Sequence, residues 1–276
     1  MTLDDLPTPC LVLDLGILKR NLAHMAAAVA RHPGLTLRPH MKTAKSLAVA
    51  ALAAPDHGPI TVSTVAEARY FAGGGYRDQI YAVGITPAKL DAIAALIEQG
   101  ADVKVITDDP DAAAAIAAHP GPLRALVEVD CGEGRGGVTP DGNLLTEIAG
   151  RLGARCAGVM THAGHSYAER SIPAVAAVAE AEHRGAVLAA GRLRGMGVSV
   201  DVVSLGSSPT ALYSKDMSGI TDVRAGVYMF GDLFQAQIGT HGMADIAVTV
   251  LSAVTGRKPD RNAILIDAGA IALSKD

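Results

Sequence analysis

A chain of 276 residues with 49% hydrophobic and 19% charged residues has enough apolar material for one large α/β barrel with an appendage, and no stretch is disordered by composition. The net charge of −4, without any block of like charges, argues against a nucleic-acid partner or an anionic membrane surface. Three widely spaced cysteines without a CxxC pair fit reduced thiols, and we predict a soluble, cytoplasmic protein.

The N-terminal flank consists of a short apolar segment, PCLVLDL (9–15), and an amphipathic helix over residues 16–32. The opening residues, MTLDDLPTPC, are acidic and interrupted by proline, so they predict neither a signal nor a transit peptide. No apolar run reaches the roughly 18 residues that a membrane-spanning helix needs.

Eight short β-branched segments then alternate with alanine-rich helical segments. Their spacing of roughly 20–30 residues is what parallel βαβ units require, and eight units close a (β/α)8 barrel. We therefore predict an α/β fold with a TIM-like barrel. An open doubly wound sheet is the alternative, but it would usually show an early GxGxxG turn, and the first turn here is RPHMKTAKS. The predicted strands cover residues 35–42, 59–65, 79–85, 102–108, 123–130, 156–164, 200–208 and 222–230, and the predicted helices cover 43–54, 66–73, 87–99, 110–118, 141–152 and 172–195.

Two further alternating segments, 245–256 and 263–274, follow the eighth strand and are joined by the turn RKPDRN. They predict antiparallel strands of a second, all-β domain that is incomplete, because two or three strands do not hold a stable sheet by themselves. We assign residues 16–235 to the barrel, and residues 1–15 plus 236–276 to the partial β domain. Either a partner chain completes this domain, which predicts a homodimer, or the sequence is shorter than the functional unit.

The carboxyl ends of the barrel strands define a predicted active-site mouth, because catalytic residues of such barrels lie there. One lysine, one arginine, three histidines and a loop rich in glycine and serine converge on this mouth. The residues at these ends are His40, Lys42, Ser63, Thr64, Gly84, Thr107, Asp108, Asp130, Arg135, His162, His165, Tyr167, Ser207, Ser208, Thr210 and Gly226.

Lys42 follows the apolar first barrel strand in the segment LRPHMKTAKS. Partial desolvation beneath a narrow mouth lowers the pKa of a lysine and increases its neutral fraction, which suits Schiff-base chemistry. A solvated loop lysine is the alternative interpretation, and the position at the mouth favours the functional one.

Two glycine-containing segments, VSLGSSPTA (203–211) and VRAGVYMFG (223–231), follow the seventh and eighth barrel strands. Glycines let backbone N–H groups approach an anion, and nearby hydroxyls add donors. Tight turns that need only glycine and serine are the alternative, but the loops after strands seven and eight are the usual phosphate site of this fold. The segments therefore predict a phosphate site.

The loops after the fifth and sixth barrel strands carry the remaining candidates. Arg135 lies in VDCGEGRGGV (129–138), a loop that aims a guanidinium inward, although a solvated arginine fits equally well. In MTHAGHSY (160–167), His162 is placed to stack on a planar ring or to lie in the core, and Tyr167 to donate to an anion. No HxxxH or CxxC spacing, GxSxG elbow or Walker loop is present, so the motifs predict neither a metal site nor a serine triad nor a nucleotide loop.

Taken in order, these motifs resemble the D-threonine aldolase and D-serine dehydratase group of alanine-racemase-like, fold-type III pyridoxal-phosphate (PLP) enzymes. The segment GSSPTA…TDVRAGVYMF is more similar to D-threonine aldolases than to eukaryotic D-serine dehydratases. The similar segments run through essentially the whole chain and are TPCLVLDLGILKRNLAHM, LRPHMKTAKS, EVDCGEGRGGV, GVMTHAGHSY, VSLGSSPTALYSKDMSGITDVRAGVYMFGD and DAGAIALSKD.

The resemblance implies roles for the residues of the mouth. Lys42 would hold PLP as a Schiff base, Arg135 would contact its phenolic oxygen, and His162 would stack on its pyridine ring. Arg224 occupies the place where alanine racemases put an arginine on the pyridine nitrogen. The other implied cofactor-binding residues, chiefly around the phosphate, are Tyr167, Ser207, Ser208, Thr210, and the backbone of Gly226 and Val227.

The resemblance also implies a PLP-dependent lyase for a small D-β-hydroxy-amino acid, most closely a D-threonine aldolase. A D-serine dehydratase, an amino-acid racemase and a non-catalytic PLP-binding protein are the alternatives. The family uses a divalent metal, Mn, Mg or Zn, whose ligands would lie beyond the segment SKD, so no metal residue is predicted within this chain.

Overall fold

The computed structural model describes residues 2–270 and 272–273 and has a parallel β-barrel at its centre. The strands are β1 (Cys10–Leu13), β2 (Thr36–Pro39), β3 (Ile60–Val62), β4 (Asp78–Gly84), β5 (Asp102–Thr107), β6 (Arg124–Val129), β7 (Cys156–Thr161), β8 (Val202–Leu205), β9 (Asp222–Ala225), β10 (Val248–Leu251), β11 (Val254–Lys258) and β12 (Ala263–Ile266).

Eight of these strands, β2 to β9, form one parallel sheet in the order β2-β9-β8-β7-β6-β5-β4-β3. A parallel bridge between His40 and Thr61 joins the two edge strands and closes the barrel. The predicted α/β barrel is therefore confirmed. The last barrel strand is shorter than predicted: it ends at Ala225, because the chain then turns into a 3-10 helix at Val227–Met229.

Helices pack around the outside of the barrel, and several begin at a side chain that caps them. The carboxylate of Asp14 and the hydroxyls of Ser46 and Thr64 accept N–H groups of the first turns that follow them. Two short helices, α8 and α9, were not predicted. The helices are α1 (Leu15–Ala30), α2 (Leu47–Ala53), α3 (Val65–Gly73), α4 (Leu90–Glu98), α5 (Pro110–Ala118), α6 (Asn143–Leu152), α7 (Ile172–Gly195), α8 (Ser208–Tyr213) and α9 (Leu233–Gln237).

Side chains along each strand point alternately into and out of the barrel. Those that point inward form one apolar group and one charged group. The charged group lies at the amino ends of the strands, below the mouth, where Arg38 forms a two-pronged ion pair with Asp78 at 2.8 and 3.2 Å. The Nε atom of Arg38 also lies 3.5 Å from the carboxylate of Asp222. The apolar group consists of Ile80, Ile106, Leu126, Ala157, Met160 and Val202.

The strands outside the barrel form two antiparallel pairs, β1 with β10 and β11 with β12. The predicted strand 245–256 is in fact two strands, because the Asp267 carboxylate accepts hydrogen bonds from the Ser252 hydroxyl and the Ala253 N–H at 2.8 and 2.9 Å and holds a turn there. The predicted strand 263–274 ends at Ile266, and residues 271 and 274 of that prediction lie outside the described residues. The division into two domains stays a prediction.

None of the helices in the described ranges combines the length and the hydropathy that a bilayer crossing requires.

Candidate functional site

Lys42 lies in the turn directly after β2, at the carboxyl end of the barrel, and is exposed to solvent. Desolvation by the surrounding walls, together with the positive charges of Arg135 and Arg224, lowers the pKa of this lysine. A lower pKa increases the fraction of neutral amine, which is the form that attacks a carbonyl. The three cationic residues that the sequence analysis selected therefore lie in one electrostatic environment.

His40 lies beneath Lys42 and is buried. Its Nδ1 accepts the backbone N–H of Lys42 at 3.4 Å, so its Nε2 carries the proton and faces the Ser63 hydroxyl, also at 3.4 Å. Burial, followed by the charges of Lys42 and Arg224, lowers the pKa of His40 well below 6.5. His40 is therefore a neutral side chain that positions the Lys42 turn. The sequence placed it at the mouth without a role.

His162 follows β7 and faces the Gly206 carbonyl, with 2.9 Å between its Nδ1 and the oxygen. A carbonyl only accepts hydrogen bonds, so Nδ1 carries the proton and Nε2 is left as an acceptor. Burial lowers the pKa of His162 to about 4, and the charge of Arg224 adds to this effect. The side chain is a neutral, orientated imidazole, as stacking on a cofactor ring requires.

A cluster of hydroxyl groups lies where β8 ends and α8 begins. Ser207 caps α8, and its hydroxyl lies 2.8 Å from that of Ser166 and 3.0 Å from that of Thr210. The Tyr167 hydroxyl accepts the N–H of Ser208 at 3.4 Å. The structure thus brings together the four predicted phosphate-side hydroxyls and adds Ser166, which the sequence analysis did not select.

The backbone after β9 completes this cluster. Among the hydrogen bonds of the described residues, the N–H groups of Gly226 and Val227 find no protein acceptor. A Cβ atom at Gly226 would lie 2.9 Å from the His40 carbonyl oxygen and 2.8 Å from the Thr43 hydroxyl, so only glycine fits. Free N–H donors beside a group of hydroxyls are the donor set that a phosphate group takes.

Arg224 is buried on β9 and points into the barrel. Its Nε donates to the Ser204 hydroxyl at 2.8 Å, and its Nη2 donates to the Thr161 carbonyl. Ser204 in turn donates to the carboxylate of Asp222, so the charged network below the mouth reaches the guanidinium. This anchoring holds Arg224 in one orientation.

Arg135 differs from the other candidates because its side chain is 65% exposed. It lies at the rim of the mouth and pairs with Glu133 of the same loop at 3.2 Å. Its contact with a cofactor oxygen stays a prediction. His165 is half-buried beside Gly132 and does not contact Lys42 or His162 through a hydrogen bond among the described residues.

Two carboxyl groups lie at the mouth: Asp108 was selected from the sequence without a role, and Glu128 was not selected. Glu128 lies near the end of β6, where burial and then the neighbouring charge of Asp108 raise the pKa of its carboxyl. The carboxylate of Asp108 accepts the N–H of Gly137 at 2.7 Å and so fixes the loop that carries Arg135. Glu128 and Asp108 each lie two residues after an inward-facing apolar residue, Leu126 and Ile106, and this period of two in the sequence places both carboxyl groups on the inner face of the barrel.

The group of residues fits PLP. An amine with a lowered pKa suits the aldehyde, the hydroxyls and free N–H groups suit the phosphate, and an anchored arginine and a neutral imidazole flank the space for a ring. Within residues 2–270 and 272–273, no three side chains of His, Cys, Asp or Glu converge closely enough to hold a metal ion.

The depressed pKa values of His40 and His162 predict a pH dependence of stability. As pH falls from about 6.5 towards about 4, the unfolded chain binds protons that the folded chain excludes, so the free energy of unfolding decreases across this window. Urea denaturation at a series of pH values measures the slope. His162→Gln should flatten it, and an unaltered slope in this variant would contradict the assignment.

The fold and the site together define a class: PLP-dependent enzymes of fold type III. Residues 13–233 match the family model described as alanine racemase, N-terminal domain. The chain belongs to this family.

Several relatives match over nearly the whole chain. The D-threo-3-hydroxyaspartate dehydratase of Delftia sp. (strain HT23) is 42% identical, and the match covers 100% of this chain and 74% of the relative; its solved structure superposes with a TM-score of 0.96 over 75% of its length. The 3-hydroxy-D-aspartate aldolase of Paracoccus denitrificans is 32% identical, over 99% of this chain and 74% of the relative. A solved alanine-racemase-like protein from Idiomarina loihiensis is 38% identical, with a TM-score of 0.95 over 99% of this chain and 74% of that protein.

Proposed function

We propose that this protein is a PLP-dependent lyase that removes water from a D-β-hydroxy-amino acid of the 3-hydroxyaspartate type. The observation that carries the proposal is the 42% identity, over the full chain, to a dehydratase for that substrate. The geometry supports it through Lys42, His162 and the hydroxyl cluster, which surround one mouth.

The reaction breaks the Cα–H and Cβ–O bonds of the substrate. Water leaves, and hydrolysis of the resulting enamine gives a keto acid and ammonium. Bound PLP supplies an electron sink for the electrons of the Cα–H bond. Lys42 would hold the cofactor through Nζ, and the same atom, in the neutral form that its lowered pKa favours, would take the Cα proton of the substrate.

The other residues of the mouth bind and orient. The hydroxyls of Ser207, Ser208 and Thr210 and the free N–H groups after β9 would hold the phosphate, and His162 would pack against the ring. Arg224, which Ser204 anchors, would contact the ring nitrogen. At the rim, the exposed charge of Arg135 attracts the carboxylates of the substrate.

A retro-aldol lyase is the second candidate, as the overall resemblance of the motifs suggests. It is favoured by the 32% identity to an aldolase for 3-hydroxy-D-aspartate. That reaction breaks Cα–Cβ instead of Cα–H and gives glycine and an aldehyde. The identity to the dehydratase is higher, so dehydration is preferred here. An arginine at the ring nitrogen would weaken the electron sink, which makes racemization the third reaction to test.

Product analysis separates these reactions. PLP-loaded protein is incubated with D-threo-3-hydroxyaspartate, D-threonine, D-serine and D-alanine, with and without Mn²⁺ or Zn²⁺. Keto acid and ammonium from hydroxyaspartate are expected. Glycine with an aldehyde would establish the aldolase instead, loss of optical activity from alanine a racemase, and bound PLP without any turnover a non-catalytic PLP-binding protein.

A further inference from the structure

Glu182, on the outer helix α7, points between the loops that follow β7 and β8. Its side chain is completely buried, with 0% of the residue exposed. A buried carboxyl group is costly unless hydrogen bonds compensate it, and helix α7 would pack an apolar residue at lower cost. The position of this carboxyl group therefore calls for a role beyond packing.

One oxygen of Glu182 accepts hydrogen bonds from two backbone segments that adjoin His162, the loop after β7 and the loop after β8. Oε1 accepts the N–H of Ala163, the residue after His162, at 2.9 Å. The same atom accepts the N–H of Gly206 at 3.0 Å, and the carbonyl of Gly206 receives the Nδ1–H of His162. The carboxyl group thus fixes both the residue that carries the imidazole and the residue that sets its tautomer.

The same contact determines where the hydroxyl cluster begins. Gly206 has a φ of +124°, a conformation that L side chains rarely adopt, and Ser207, the cap of α8, follows it directly. A hydrogen bond from the Gly206 N–H to Glu182 holds this unusual backbone in place. The second oxygen of Glu182, Oε2, is buried and has no hydrogen-bond partner among the described residues.

We propose that Glu182 is a positioning residue, whose Oε1 orients His162 and the start of the hydroxyl cluster towards the bound cofactor. The inference rests on the proposed function only in taking PLP as the bound group. In this proposal, the role of Glu182 requires the acceptor oxygen of its side chain and does not require its negative charge. Glutamine, which keeps an oxygen at the same reach, should therefore replace glutamate.

The chain offers a matched control, because Glu180 lies two residues earlier on α7, is 69% exposed and pairs with Arg184 at 2.7 Å. The variants Glu182→Ala, Glu182→Gln and Glu180→Ala are titrated with PLP, and the circular dichroism of the bound cofactor in the visible range is recorded, since it reports the pose of the ring. Glu182→Ala should bind PLP at least about 10-fold more weakly, with a reduced dichroism band, because two backbone hydrogen bonds are lost. Glu182→Gln should remain within about 3-fold of the parent, and Glu180→Ala should be unchanged.

Equal affinity and an equal dichroism band in Glu182→Ala and the parent would overturn the proposal. So would a Glu182→Gln variant as weak as Glu182→Ala, because the charge would then be the essential feature. Should Glu182→Ala not fold, Glu182→Asp replaces it: the shorter side chain cannot reach both N–H groups, and unchanged PLP affinity in that variant would refute the role. A parent protein that binds PLP without lyase activity would refute the proposed function alone and leave this test intact.

Discussion

Lys42→Ala is expected to abolish both lyase activity and the covalent attachment of PLP. The loss of proton transfer at Cα alone corresponds to roughly a 10²–10⁴-fold decrease in kcat, and the loss of the attachment point adds to it. The rate is measured with the substrate that the product analysis identifies. The attachment is measured by borohydride reduction of the PLP-loaded protein, followed by mass spectrometry of the peptide that contains residue 42.

Lys45 provides the control for this variant, because it is a second lysine three residues further along the same turn. Its side chain is 63% exposed and lies 3.4 Å from the Glu67 carboxylate. Lys45→Ala should therefore retain the attached cofactor and most of the activity. If Lys42→Ala retained the label while Lys45→Ala lost it, the assignment of the reactive amine would be wrong.

Asp222→Ala is expected to reduce the free energy of unfolding by about 3–5 kcal/mol, the usual cost of removing one partner from a buried charge pair. Asp222 is buried, its Oδ2 lies 3.5 Å from Nε of Arg38, and its Oδ1 accepts the Ser204 hydroxyl. The change leaves Arg38 with Asp78 as its remaining partner and frees the hydroxyl that anchors Arg224. Urea denaturation near pH 7 measures the effect.

Asp201→Ala is the comparison for this prediction, because Asp201 forms an ion pair with Arg124 at 2.5 Å on the surface. Exposed pairs contribute about 0–1 kcal/mol, so this variant should unfold almost as the parent does. A similar loss in both variants would show that burial does not set the contribution of Asp222. A small loss in Asp222→Ala, with Arg224 still anchored, would show that Ser204 suffices without the carboxylate.

The sequence allowed the barrel to be predicted, because apolar strands and amphipathic helices differ in period and recur at regular spacing. The predicted ends of the strands were wrong where a hydrogen bond or a turn outside the sheet ends the pairing of a strand with its neighbour. Gly226 leaves the strand to expose its N–H, and Asp267 draws Ser252 and Ala253 into a turn. Such interactions join residues far apart in sequence, so no local pattern records them.

Candidate site residues were selected from the sequence where they directly follow a barrel strand, as Lys42, His162 and Ser207 do. Glu182 was not, because it lies on a helix beside Glu180, and the two glutamates look alike in sequence. Only the rotation of α7 against the barrel decides which carboxyl group is exposed and which is buried. The link from Asp222 through Ser204 to Arg224 was equally hidden, since it crosses between two strands.

The pairing of β1 with β10 has a consequence for the order in which the protein folds. The register places Cys10 opposite Leu251, so their separation in sequence is 251 − 10 = 241 residues. During synthesis, β1 emerges early and has no partner until the whole barrel has left the ribosome. Contacts of such high sequence separation carry a large loop-closure entropy and form slowly. The β1–β10 ladder should therefore be among the last parts to form, and its unpaired edge is exposed to association with other chains until then.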